Sequence, residues 1–440
     1  MSIPTSGRPP GPGAPPGRGR PRGLRARAGL PALAGAGRFV AAHAVDSLGT
    51  GLVFAFTVVY FTHATHLSLA EVGAALTVGN LLALPAPALG GVLMDRHGPK
   101  AVVVTANLVC AAGFTAFLLV RPAWQVSLAY CVVQAGINLY WTAARSLVPL
   151  AGVPGEERLW FGFISSLRNL GIGAGAAVSA VTTALFGPDS LYVLVAANAG
   201  TFLCAAALFA TWRPAHAPGV PGTSRRPASD GTAARLRGSW RAVLTDGRYL
   251  LLVGANLAFV LAQMVPPVLL AVYVTETLHA GEWIPGALLV VNTAVVAVVT
   301  PAVTRRAARH RPQRVIAGGF LVGAGAFVLF AAPLAWREGP GWTVAGVLTA
   351  AMLLFTLSEI LSSPALNELS VACAPAEGDG RHQAAFQLSW SVGGAAAPVV
   401  LTTLLSRRPV LPWLLLAVLS MLAVPAARAL APPDREEPPS

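Results

Sequence analysis

The chain has 440 residues, 55% of them hydrophobic and only 11% charged, and its mean hydropathy is +0.63. Water-soluble chains carry charge on about a quarter of their residues, so most of this surface does not face water. The net charge of +13 would suit nucleic acid, but the basic residues sit in short connectors between apolar runs. That pattern sets nucleic acid aside as a partner and is the signature of membrane orientation.

Residues 1–38 are rich in Pro, Gly and Arg and hold no acidic residue. Such a segment cannot bury a core and is expected to be a disordered tail. The apolar run behind it is too long for a signal-peptide core, so the tail is expected to be retained.

Twelve apolar segments follow, near 39–61, 70–93, 101–120, 124–147, 160–186, 190–212, 249–275, 283–303, 315–335, 343–363, 383–406 and 410–430. Each is close to the roughly 20 residues that cross a hydrocarbon core of about 30 Å. Each is expected to be a helix, because a lone segment in lipid satisfies its own backbone groups only that way. The fold class is therefore an all-α membrane protein with twelve transmembrane helices.

Placing the N-terminus in the cytoplasm puts 26 Lys and Arg residues on the inner side and 4 on the outer side, with Arg168 inside a segment. This bias predicts a multi-pass cell-membrane protein with both termini cytoplasmic. The connector 213–248 is rich in Pro, Gly, Ser and Arg and reads as a flexible cytoplasmic linker. It separates a six-helix bundle over 39–212 from another over 249–430, and a short tail, 431–440, closes the chain. The halves echo each other. Gly171 trails Arg158 by 13 residues, and Gly393 trails Arg381 by 12. Duplicated halves around a central site are a transporter architecture.

The connector after the second segment reads Gly91-Val92-Leu93-Met94-Asp95-Arg96-His97-Gly98-Pro99-Lys100. It resembles the G-x-L-x-D-R-x-G-R-K signature of the major facilitator superfamily, at the place that family requires, and the resemblance covers residues 38 to 430. Pro99 stands where the signature has arginine. The equivalent loop, Thr304 to Arg314, lacks the aspartate. The resemblance implies two pseudo-symmetric six-helix bundles and alternating access, as in bacterial drug and metabolite exporters. Two sub-patterns are missing. Cys131 to Gly136 stands where proton-coupled members carry an arginine, and Gly171-Ile172-Gly173-Ala174-Gly175 lacks the proline of many antiporters.

An ionisable group within a span costs about 2.5–3.5 kcal/mol on insertion scales. Asp46, Arg168 and Glu359 are such groups, and all three fall in the inner part of their segments. The resemblance implies that the fifth and tenth helices meet between the halves, so Arg168 and Glu359 are expected to touch there as a gate. Asp46 is then the protonatable group. A static ion pair and charges in a wet vestibule are the competing readings.

Asp95, Arg96, Arg145 and Glu368 are candidates for an inner latch. Asp95 would pair with Arg145, and Glu368 with Arg305 or Arg306. Solvated loop charges, worth under about 1 kcal/mol, are the bland alternative. The cavity candidates are Asn138, Asn169, Asn256, Gln263 and Asn292, each of which can instead be interhelical glue worth about 0.6 kcal/mol, and the aromatic Tyr140 and Trp390, which could line an amphipathic site. Phe56 and Trp141 are further aromatic candidates. Tyr60 and Tyr273 read as interfacial belt residues, and His43 as structural.

Cys110, Cys131, Cys204 and Cys373 show neither metal-ligand spacing nor a disulfide framework. No metal and no cofactor is expected. Neither G-x-S-x-G nor H-E-x-x-H occurs, which argues against an enzyme. The leading function is secondary transport of a small amphipathic or apolar compound, coupled to protons and directed outward, by a monomer. Uptake or facilitated diffusion of a polar metabolite stands second, and a non-transporting receptor or scaffold third.

Overall fold

In the computed structural model the described residues are 31, 35–54, 56–152, 155–214, 240–281, 283–335, 341–375 and 379–430. The expected disorder of the two tails and of most of the 213–248 linker lies outside them. The described end of the linker is helical from Trp240 to Thr245.

Among the described residues nine helices are long and apolar enough to span a membrane, and a bent pair makes a tenth. Two more crossings complete twelve. One comes from the 49-residue stretch Leu69–Phe117, which is two spans. Gly98 breaks it with φ 79°, a conformation that glycine alone adopts without strain. Contacts with the next helix show that the chain turns back there. Gln134 donates to Asn80 at 3.1 Å, and the adjacent Val133 carbonyl accepts from Cys110 Sγ at 3.7 Å. Residues 80 and 110 thus lie at one level, with Gly98 beyond both. The other crossing is Ala123–Ala144, 22 residues long.

The crossings are α1 (Gly37–Phe54, continued by Thr57–Thr65), α2 (Leu69–Leu82, continued by Ala86–Phe117 as far as Gly98), α3 (the remainder of Ala86–Phe117), α4 (Ala123–Ala144), α5 (Glu157–Phe186), α6 (Ser190–Thr211), α7 (Gly247–Gln263, continued to Thr277), α8 (Trp283–Ala307), α9 (Pro312–Ala331), α10 (Gly341–Ala372), α11 (Asp379–Arg407) and α12 (Leu411–Ala429). We call the end where α1 begins and α12 finishes the near end. Helix α10 runs well beyond the expected 343–363, so Glu368 lies within a helix. Beyond Gln263, α7 widens over Val265–Leu269, where Pro266 and Pro267 cannot donate backbone hydrogen bonds.

The buried members of each apolar cluster fall either between residues 36 and 212 or between 249 and 430. Each half therefore has its own core. The halves repeat one another in detail. Tyr60, ending α1, donates to the Phe117 carbonyl at 2.9 Å, and Tyr273, ending α7, donates to the Phe330 carbonyl at 2.6 Å. Both pairs are 57 residues apart. Each tyrosine also meets an aromatic ring on the last helix of its half, Tyr60 with Tyr192 and Tyr273 with Trp413. Both tyrosines are fully buried. This corrects the interfacial-belt reading: a phenol that satisfies a helix-end carbonyl is held in the core rather than at the lipid surface.

Within the first half, α1 and α5 approach almost backbone to backbone. A side chain at Gly51 would strike the Ile172 carbonyl, and one at Gly175 the Leu48 carbonyl. Small residues at such crossings let helices associate in lipid, where no hydrophobic force draws them together.

The halves meet near one end. Arg158, starting α5, bonds Glu368 of α10 at 2.5 and 3.2 Å and also the Ala307 carbonyl that ends α8 and the His310 carbonyl just beyond it. Asp95, ending α2, accepts from the Gly380 amide at 2.8 Å and pairs with Arg381 of α11 at 2.7 Å. Ser146 donates to Asp379 at 2.8 Å. Arg158 and Arg381 start equivalent helices, so the latch is doubled about the pseudo-symmetry.

The latch differs from the expected one. Asp95 pairs with Arg381 and not with Arg145, and Glu368 pairs with Arg158. Arg305 and Arg306 lie at the end of α8, beside the carbonyls that Arg158 holds. Arg96 is exposed and has no hydrogen bond or ion pair among the described residues. The physical reason is geometric: the helix ends carrying these charges face the opposite half more closely than their own neighbours in sequence.

Candidate functional site

Above this latch lies a cavity of about 370 Å³ that both halves line. Helix α4 contributes Trp141 and the turn that follows it Arg145, α5 contributes Ser165, Arg168 and Asn169, and α1 contributes His43. From the second half come Gln263 of α7, Glu359, Ser363 and Asn367 of α10, and Gln387 and Trp390 of α11. The volume is in the range of small-molecule pockets, which mix apolar walls with a few polar groups.

Arg145 forms part of the floor. Its Nε donates to Asn367 Oδ1 and its Nη2 to Gln387 Oε1, both at 2.9 Å, and its guanidinium lies 4.8 Å from the Phe386 ring centre. All of these partners are neutral. Gln387 and Ser391 also donate to Asn138 Oδ1, at 3.4 and 3.0 Å. Asn138 thus joins the halves and is not part of the cavity lining. Arg145, first read as a latch to Asp95, is a cavity residue.

Arg168 and Glu359 face this cavity from opposite halves and form no ion pair with each other, contrary to the expected gate contact. Arg168 lies over the Trp141 ring at 4.6 Å, a cation–π distance. Glu359 accepts from Asn292 at 3.3 Å, and Gln263 lies beside it. Each charge is held by neighbours in its own half, which leaves room between them.

Behind Arg168 and Trp141 is a smaller cavity of about 40 Å³, which those two residues share with the main one. It is lined also by Asp46, Asn107, Cys110 and Tyr140. It has room for a water molecule. Asp46 is 4% exposed and has no hydrogen bond or ion pair among the described residues, though Arg168 is close enough to act on it electrostatically. One turn before it, His43 meets the Tyr140 hydroxyl through Nδ1 at 2.8 Å. Its Nε2 is buried without a partner. The guanidinium–indole stack is therefore the wall between the carboxyl pocket and the main cavity.

The remaining candidates divide. Gln263, Asn169 and Trp390 line the main cavity, and Tyr140 the small one. Asn256 bonds Ser389 within the second half, and Asn292 supports Glu359. Of the further aromatics, Trp141 lines both cavities. No group of His, Cys, Asp and Glu among the described residues could hold a metal ion. Sequence reasoning missed Ser165, Ser363, Asn367 and Gln387. The signal was present: Glu359, Ser363 and Asn367 recur every fourth residue, which stacks them on one helical face.

Comparison with known proteins agrees with this architecture. Residues 39–398 match the Major Facilitator Superfamily. The chain belongs to the major facilitator superfamily. As a member of it, this is a membrane transporter and not an enzyme. Among its superfamily relatives, the multidrug resistance protein MdtH of Klebsiella pneumoniae (strain 342) is 22% identical over 380 residues, covering 85% of this chain and 89% of that protein. A Na(+), Li(+), K(+)/H(+) antiporter of Planococcus maritimus is 23% identical over 377 residues, covering 79% and 84%. The E. coli fucose:proton symporter FucP shares the superfamily fold with a TM-score of 0.67 at 16% identity, covering 90% of this chain and 98% of that one.

Proposed function

We propose that this transporter exports a small amphipathic compound across the cell membrane in exchange for protons, working as a monomer with both termini in the cytoplasm. One observation carries the reading. Asp46 is a buried, unpaired carboxyl separated from the main cavity only by Arg168 and Trp141. Ionised, it attracts the guanidinium toward its own pocket; protonated, it releases it toward the cavity. A proton on Asp46 thus changes what the cavity presents, and a group whose interactions differ between two states can bias the balance between them. The relatives named for multidrug resistance and for proton antiport support the outward direction and the coupling. The Lys and Arg bias of the near end supports a cytoplasmic latch.

The test uses proteoliposomes holding the full chain and a lipophilic fluorescent cation. A pH gradient drives wild-type flux against the dye gradient, whereas Asp46→Asn retains dye exchange and loses the response to the gradient. Wild-type flux equal with and without the pH gradient would replace antiport by facilitated diffusion.

A further inference from the structure

The main cavity holds opposite charges that do not neutralise each other. Among the described residues Arg168 on α5 has an aromatic neighbour and no ion pair, and Glu359 on α10 has one neutral donor, Asn292, and no cation within ion-pair distance. Arg145 is already engaged by Asn367, Gln387 and the Trp141 carbonyl. The wall that carries Arg168 also carries a buried imidazole nitrogen, His43 Nε2, with no partner. The wall that carries Glu359 also carries the Trp390 ring, an aromatic face of the kind that attracts cations. Buried charges in a dry or half-dry site are costly unless paired. An apolar ligand would leave both unpaired. A simple cation would leave Arg168 unpaired, and a simple anion would leave Glu359 unpaired.

We propose that the preferred substrates are zwitterionic amphipaths: the carboxylate lies against Arg168 and His43 of the first half, the ammonium against Glu359 and Trp390 of the second, and the apolar body fills the space between. This rests on the transporter reading above and names the substrate class of the same site.

Binding to the purified full chain in detergent decides the matter, with two matched series. Tryptophan is compared with tryptamine and 3-indolepropionate, and 4-(aminomethyl)phenylacetate with 4-methylbenzylamine and 4-methylphenylacetate. In each series the three compounds share one ring and differ in which charges they keep. The series separate the two charges by different lengths. In at least one of them the zwitterion is expected to bind tenfold or more tightly than either partner. Glu359→Gln should erase its advantage over the acid, and Arg168→Gln its advantage over the amine. Binding of the single-charge partner reports that each variant is folded, and the wild-type comparison stands without them. If a single-charge compound binds as tightly as the zwitterion in both series, the proposal is overturned. Zwitterion binding without flux of any of these compounds in proteoliposomes would remove the transport reading and leave this one. Dye flux driven by a pH gradient, with no preference for zwitterions, would do the reverse.

Discussion

Arg158 and Glu368 hold each other across the gap between the halves through two parallel hydrogen bonds, 2.5 and 3.2 Å long. The side chains are 6% and 21% exposed, so the pair is better protected from solvent than a surface ion pair. Bidentate arginine–carboxylate geometry adds direction as well as energy. Together with Asp95–Arg381 and Ser146–Asp379 it fastens the near end shut. Glu368→Ala should therefore favour opening there. A hydrogen bond to a charged group contributes about 1.5–3 kcal/mol, so the closed state should lose roughly a factor of ten or more. The check is thiol labelling of Ser363→Cys in a cysteine-free chain: the reagent applied at the near end should react about tenfold faster in the Glu368→Ala background. An unchanged rate would mean that the pair is ornamental to the closed state.

Trp141 stands between the main cavity and the Asp46 pocket, with Arg168 stacked 4.6 Å from its ring centre. Its removal should join the two spaces. Trp141→Leu keeps an apolar side chain at the position but offers no π face for the guanidinium. Protons should then reach Asp46 without substrate bound. In liposomes containing a pH-sensitive dye, this variant should collapse an imposed pH gradient faster than wild type, while substrate-driven proton movement falls. Wild-type tightness would show that the barrier lies elsewhere.

The spans are legible because each is a problem in hydropathy that its own residues solve. Ala123–Ala144 is legible as well, although Gln134 and Asn138 depress its hydropathy: both point at other helices and bond Asn80, Gln387 and Ser391. The site is half legible. Asp46, Arg168 and Glu359 declare themselves because charge in a span needs a reason. Their partners do not, since pairing depends on which helix ends face each other across the halves. Asp95 and Arg145 look paired from their shared end of the first half, but Arg381 comes from 286 positions away along the chain. Tyr60 and Tyr273 mislead for a related cause. A phenol near a helix end suits the lipid interface and a carbonyl cap equally, and only the neighbouring helix decides.

The tyrosine caps give a paired prediction. Tyr60→Phe keeps the ring contacts with Phe61 and Tyr192 but leaves the Phe117 carbonyl without its donor. Tyr273→Phe does the same to the Phe330 carbonyl, while contact with Trp413 persists. An unsatisfied buried acceptor costs about 1–3 kcal/mol. Each variant should lower thermal stability in detergent, and by similar amounts because the environments repeat. The double variant should be close to the sum, since the two sites lie in separate cores and independent sites add. A large effect in one half alone would mean that the repeat is geometric without being energetic.

The crossing of α1 on α5 sets how far Asp46 can move relative to Arg168, since the first lies on α1 and the second on α5. At Gly175 the helices are so close that any side chain meets the Leu48 carbonyl, and at Gly51 any side chain meets that of Ile172. Backbone atoms cannot swing aside as a flexible side chain can, so the helices must separate to admit even one methyl group. Gly175→Ala should therefore destabilise the first half by about 1–3 kcal/mol, the usual range for overpacking. It should also weaken the response of flux to pH, because the carboxyl and the guanidinium are drawn apart. Gly173→Ala is the control on the same helix, as nothing lies within contact of its added methyl. It removes a flexible residue from a helix interior and should be neutral or slightly stabilising. Melting curves and pH-driven flux measured on the two variants side by side separate a specific helix contact from a general intolerance of α5 to substitution.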